Sequence, residues 1–222
     1  MKYVRKSLNF SLLSFIVVSL ILPVVNAQQR VNVGVFSEKD TTGWQKKQFV
    51  ADTEYRLIQH EGQSVLMAVS SKGASAYYRE MDIDLTQLPY LNWSWKKMIT
   101  LNPGNELKKS GDDFVARIYV IKGGGLFFWK TKVINYVWSF SHQKKQSWDN
   151  PFAGKNARMF AQRDASDAED QWFYEKRNIK EDFKQLFGQD IDSIDGIAIM
   201  TDSDNSGLNA KALYGDIYFS AE

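Results

Sequence analysis

Alternation is the feature that narrows the fold of this chain most. Between Val31 and Phe219, about ten short runs alternate apolar with polar residues at hairpin-like spacing, with turn residues between them. The runs at 55–59 and 65–69 flank Glu61-Gly62, a dipeptide suited to a two-residue hairpin turn. The run at 76–85 sets Met81, Ile83 and Leu85 on one face and Glu80, Asp82 and Asp84 on the other, which reads as a solvated antiparallel strand. Trp93 and Trp95 share a face and are expected in the core. Phe114, Ala116, Ile118 and Val120 form another core face, opposite Asp113, Val115, Arg117 and Tyr119. Residues 126–140 read as a long aromatic strand or a bulged pair of strands.

One segment departs from this period. Asn178 can cap a helix, with Glu181 three residues on, while Ile179, Phe183 and Leu186 or Phe187 form one apolar stripe and Gly188 supplies the stop. The pattern predicts an all-β fold, an antiparallel β-sandwich of jelly-roll type with one short α-helix at about Ile179 to Phe187.

The first residues stand outside that pattern. Lys2, Arg5 and Lys6 precede a mainly apolar stretch at 8–25, and Val25-Asn26-Ala27 fits a signal-peptidase site. We expect a signal peptide over 1–27, cleavage after Ala27, one β-sandwich domain over 28–222, and a periplasmic or secreted location. No later stretch is long and apolar enough to span a membrane. Loss of the three leader cations turns a chain of formal charge +2 into a nearly neutral one, so charge does not point to nucleic acid. Cysteine is absent, which excludes disulfides and thiolate chemistry, and the two histidines, His60 and His142, are too few for most histidine-based metal sites.

Oxygen ligands are densest at residues 201–207, Thr-Asp-Ser-Asp-Asn-Ser-Gly, between an apolar run at 194–200 and the last strand. Three readings stay open. Asp202, Asp204 and Asn205 can ligate calcium, they can hydrogen-bond the hydroxyls of a ligand, or they can form Asx-type turns. Tryptophans are the natural platforms for sugar rings, and Trp129, Trp138 and Trp148 are the candidates; Trp148 is expected to be exposed on a polar loop. Arg117 and Arg177 fall on alternating strands and could pair with Asp113 or Glu175. An enzyme of this kind would use two carboxyls from among Asp113, Glu175 and Asp202. Ser141-His142 is adjacent in sequence, which does not make a triad.

Several ordered motifs carry a resemblance. Gly111-Asp112-Asp113-Phe114 with Arg117 and Tyr119, Asn135-Tyr136-Val137-Trp138-Ser139, Asn150-Pro151-Phe152, Thr201-Asp202-Ser203-Asp204-Asn205 and Tyr214-Gly215-Asp216-Ile217 resemble the bacterial exported domain of unknown function 3047. That resemblance covers nearly the whole mature chain and implies no established activity. The pattern from Phe36 and Gly43-Trp44 to Pro89-Tyr90-Leu91, Trp93 and Trp95 is similar to galactose-binding-like jelly rolls, an architecture that many carbohydrate-binding modules share. The expected function is non-catalytic binding of carbohydrate, such as a cell-envelope polysaccharide, or of another polyhydroxylated ligand. Arg117, Trp138, Trp148, Arg177 and Asn205 are the expected contacts, and Asp202 and Asp204 the expected ligands if calcium binds. The alternatives are a carbohydrate-active hydrolase or lyase of the same fold, and an envelope scaffold with protein partners.

Overall fold

A computed structural model describes Met1 and residues 29–123 and 131–222. Residues 2–27 of the expected leader, Gly124-Gly125 and the start of the expected aromatic strand at 126–130, with Trp129, lie outside the described residues. Two sheets face each other. The first runs β11 (Phe173–Asn178), β6 (Tyr90–Lys97), β13 (Asn209–Ser220), β4 (Gln63–Ser71), β3 (Thr53–His60), with β1 (Arg30–Gly34) also on β13. The second runs β2 (Gln45–Gln48), β5 (Ser75–Asp84), β12 (Ser193–Met200), β7 (Arg117–Lys122), β8 (Lys132–Trp138), β10 (Gly154–Arg163), β9 (Ser147–Asn150). This is a jelly-roll-type β-sandwich. Pairing is antiparallel except between β8 and β10, which run parallel because the chain leaves β8, forms β9 at the edge and turns back to fill the place between them.

The β3–β4 hairpin closes at Glu61-Gly62, both with positive φ, as a two-residue turn of this hand requires. The inner faces carry the alternating apolar positions. Trp93 and Trp95 of β6 meet Tyr136 and Trp138 of β8 across the sandwich at ring-centroid distances of 5.3 and 5.7 Å. This ladder takes Trp138 into the core, where its Nε1 donates to the Asp164 carbonyl at 3.0 Å.

The helix α1 (Ile179–Phe187) stands where its pattern predicts. The Asn178 side chain accepts from Glu181 N, and Gly188 turns left-handed (φ 66°) to end it. Ile179 and Phe183 are buried against the core. Asp182 in its first turn accepts from Arg177 of β11 and from the Tyr136 hydroxyl of β8, so α1 closes one end of the sandwich by holding both sheets.

Candidate functional site: the groove on the outer face of the second sheet

Register places one row of side chains across the outer face of the second sheet. Tyr78 pairs with Ala198, Ala198 with Tyr119, Tyr119 with Asn135, Asn135 with Met159, and Met159 with Trp148. The flanking rows include Ala76, Gly196 and Ala157. Small residues at these positions lower the floor, and longer side chains around them leave a groove. It has two parts, of about 440 and about 320 Å3, which share Phe49, Tyr119, Ile121 and Met200 in their walls.

Two phenylalanines stand at the rim, Phe49 at 57% exposure and Phe152 at 56%. Phe49 follows β2, anchored where its amide donates to the Ala74 carbonyl at 2.9 Å. Phe152 is presented by a turn in which the Asn150 side chain accepts from the amides of Phe152 and Ala153, each at 2.9 Å. Lone exposed apolar residues are ordinary, but two aromatics bordering one apolar groove are not.

The acidic loop forms one end of the groove. Both Asp202 oxygens accept from Arg117, one from Nε at 2.8 Å and the other from Nη2. Arg117 also donates to the Asp112 carbonyl at 2.5 Å, and its guanidinium lies 4.6 Å from the Phe114 ring centre. Burial pushes the Asp202 carboxyl up, and the guanidinium pulls it back down. A protonated carboxyl would carry a hydrogen on one of two oxygens that both accept here, so the geometry is that of an ion pair. Asp113 caps the loop from the segment that precedes β7, accepting from the amides of Asn205 (3.2 Å) and Ser206 (2.6 Å). Ser203 ties the loop to the end of β4 through Ser70 Oγ at 2.9 Å and to the β4–β5 turn through the Lys72 amide at 3.0 Å. The loop is therefore held by a carboxylate from outside it, Asp113, while Asp202 is spent on Arg117 and the Phe114 amide rather than on an Asx turn of its own.

Carboxylate oxygens of Asp113, Asp202 and Asp204 lie within 4.8 Å of one another. Asp202 already holds a fixed cation, and Asp113 holds two amides, so a calcium ion would have to displace Arg117 to gain Asp202. Asp204 is half-buried, and burial first, then the neighbouring Asp113 charge, raises its carboxyl. Asn205 lines the groove and donates to Asp113 at 3.1 Å.

Other expected contacts lie elsewhere. Trp148 is 8% exposed, not an open platform: it packs with Phe114 and Met159 and stacks on His142 at 3.9 Å. The polar residues around it mislead because Ser147 and Asp149 face outward on edge strand β9 while Trp148, between them, turns in to this small apolar cluster. Trp138 is consumed by the inter-sheet ladder. Arg177 is on the first sheet, held by Asp182, and Arg117 on the second, so the two do not share a face and neither pairs with Asp113 or Glu175. Glu175 is buried and accepts from Trp95 Nε1 (3.0 Å), Gln162 Nε2 (2.5 Å) and Arg163 Nε (2.5 Å), which clamps the sheets together away from the groove.

A separate hollow of about 470 Å3 lies over Ser141, His142 and Asp164. Ser141 Oγ and Glu106 Oε2 both approach the same ring nitrogen of His142, Nδ1, at 3.2 and 2.8 Å. A nucleophile relay needs them on opposite nitrogens. Glu106 also accepts from Ser139 Oγ and the Phe140 amide, which makes it the buried anchor of this turn.

Phe49 carries no signal in the sequence, and Tyr119, Asn135 and Phe152 stand there within ordered motifs without being marked as contacts. Asn135 is the most telling. It is 1% exposed, lines the groove, and its Oδ1 accepts no hydrogen bond within the protein. A buried acceptor left so costs about 1–3 kcal/mol. The visible signal was a polar residue inside the apolar run of β8; its orientation needed the register.

The fold defines the class of this protein: a jelly-roll β-sandwich with an open groove on one sheet. The family 30 carbohydrate-binding module of the cellulosomal cellulase Cel9D-Cel44B of Clostridium thermocellum has this fold, with a TM-score of 0.50 at 11% identity over 87% of this chain and 98% of that one. A family 11 carbohydrate-binding module from Clostridium thermocellum, in complex with a β-1,3-1,4-mixed-linked tetrasaccharide, superposes at 0.48 with 10% identity over 86% and 94% of the two chains. At such identity the likeness concerns the fold. The chain belongs to the family described as protein of unknown function DUF3047, whose model matches residues 42–218. Among curated proteins, none matches it.

Proposed function

We propose that this is an exported, non-catalytic protein that binds carbohydrate in the groove on the outer face of the second sheet. The observation that carries the reading is the groove itself, an apolar floor between two half-exposed phenylalanines with oxygen-rich side chains at one end. Sugar rings offer apolar CH faces to aromatic side chains and hydroxyls to amides and carboxylates. The leader pattern at 2–27 supports export. The non-catalytic reading is supported by how the acids are used: Asp113 and Asp202 are each committed to the fold, and Glu175 does not line the groove.

The test uses the full chain expressed in a bacterium and recovered from the extracytoplasmic fraction, where it is expected to begin at Gln28. Electrophoresis through gels containing single polysaccharides should retard it in at least one. Phe49→Ala with Phe152→Ala should abolish that retardation without changing the melting temperature, since both side chains are at the rim. Uniform mobility in every gel sinks the proposal and favours an envelope partner. Release of reducing ends from the retarding polymer would replace it with the hydrolase reading.

A further inference from the structure

We propose that the groove selects uncharged polyhydroxylated chains and rejects acidic ones, with Asn135 Oδ1 and the Asp204 carboxylate as the acceptors that read ligand hydroxyls. This rests on the carbohydrate-binding reading above and adds the chemical class of its ligand.

Charge is the first argument. Asp112, Asp202 and Asp204 line the groove, and Asp113 stands behind Asp204. Arg117 is the cation among them: its Nε and Nη2 donate to Asp202 and the Asp112 carbonyl, and its Nη1 lies 3.7 Å from the Asp112 carboxylate. A carboxylate or phosphate seated on this floor would meet uncompensated negative charge in a partly desolvated place. Lys47 and Lys109 are at the rim, where each ammonium lies over a phenylalanine ring, 5.6 Å from Phe49 and 5.0 Å from Phe152.

Hydrogen-bond polarity is the second. The free group in the floor is an acceptor. Asn135 is held at the centre of the cross-sheet row by Tyr119 on one side and Met159 on the other. Its Oδ1 has no donor within the protein. The Tyr119 hydroxyl spends its proton on Met200 Sδ at 3.2 Å, so its contact with the Asn135 side chain leaves Oδ1 without a donor. Asp204 adds carboxylate oxygens at the same end. Such a floor wants donors. Sugar hydroxyls supply them, and an ionised uronate ring puts an acceptor where a donor is needed.

The experiment compares the full mature chain in gels containing neutral polymers (mixed-linkage β-glucan, galactomannan, dextran) with gels containing polygalacturonate, at low and at moderate salt. Retardation by a neutral polymer and none by polygalacturonate at either salt is expected. Asn135→Leu should weaken the neutral interaction about tenfold, the scale of one hydrogen bond between neutral groups. Asp204→Asn, at a half-buried position, should let polygalacturonate bind measurably. If Asn135→Leu does not fold, the Asp204→Asn result decides alone. Polygalacturonate bound as well as the neutral polymers would overturn this inference and hand selection to the rim lysines, leaving the carbohydrate-binding reading intact. Neutral binding unchanged in Asn135→Leu and no gain of acidic binding in Asp204→Asn would also overturn it. Retardation by no polymer removes both readings together.

Discussion

Arg117 and Asp202 show how a single pair can do two jobs. Each is almost wholly buried, and each satisfies the other at the lip of the groove. Deleting one partner strands the other as a buried charge, which costs more than the pair contributes as a whole. Asp202→Ala is therefore expected to destabilise the fold by about 3–5 kcal/mol in urea unfolding. Arg117 already neutralises Asp202, so a chelator should leave the melting temperature of the wild-type chain unchanged. A fall on chelation, absent in Asp202→Ala, would restore calcium as a ligand.

At the scale of elements, α1 is the piece whose local chemistry and tertiary role coincide. Its cap, its apolar stripe and its glycine stop are all local, and its Asp182 is then placed to bind Arg177 and Tyr136 from different sheets. Asn178→Ala removes the side-chain acceptor for the Glu181 amide and should cost about 0.5–2 kcal/mol, measured as a shift of the urea midpoint at constant m. The strands behave differently. Each alternates correctly, but a strand's pattern does not name its neighbours. Spacing groups Phe114 with Ile118 and Val120, yet β7 starts only at Arg117. Phe114 packs with Trp148 in the small cluster instead, because its amide and carbonyl are spent on Asp202 before the strand begins.

Across the whole molecule, two ionisable clusters act on stability with opposite sign. On the first sheet, the buried ammonium of Lys96 donates to Asp170 (2.9 Å) and Glu61 (3.1 Å), and these bonds hold both carboxyls below their usual range. Unfolded carboxylates titrate near pH 4, so this contribution is full above about pH 4 and drains as pH falls below it. In the groove, burial raises Asp112 and Asp204. The folded chain holds these protons longer than the unfolded one, so this contribution is full below about pH 4 and is lost as pH rises through the folded values. The melting temperature should therefore peak in the weakly acidic range. Asp204→Asn should flatten the decline on the alkaline side and leave the acid side as it is. A decline of equal slope in that variant would show that Asp204 carries none of it.

The sequence by itself determined the all-β class, the β3–β4 hairpin, the helix with both its ends, and the core role of Trp93 and Trp95. All of these follow from period and from turn or cap chemistry, which act over a few residues. It also marked the 201–207 loop as a place of dense, ordered oxygens. Tertiary structure alone decided which side of each strand met a partner, and therefore what was free to bind. Trp138, Trp148, Arg177 and Glu175 were chemically plausible contacts, but packing and pairing consumed them. Nothing in the chain marks Phe49, Phe152 or Asn135 as contacts, and they border one groove only because the register of six strands lays small side chains between them. A strand's alternation encodes two faces. Which face stays open is settled by neighbours far away in sequence, and no local pattern carries that information.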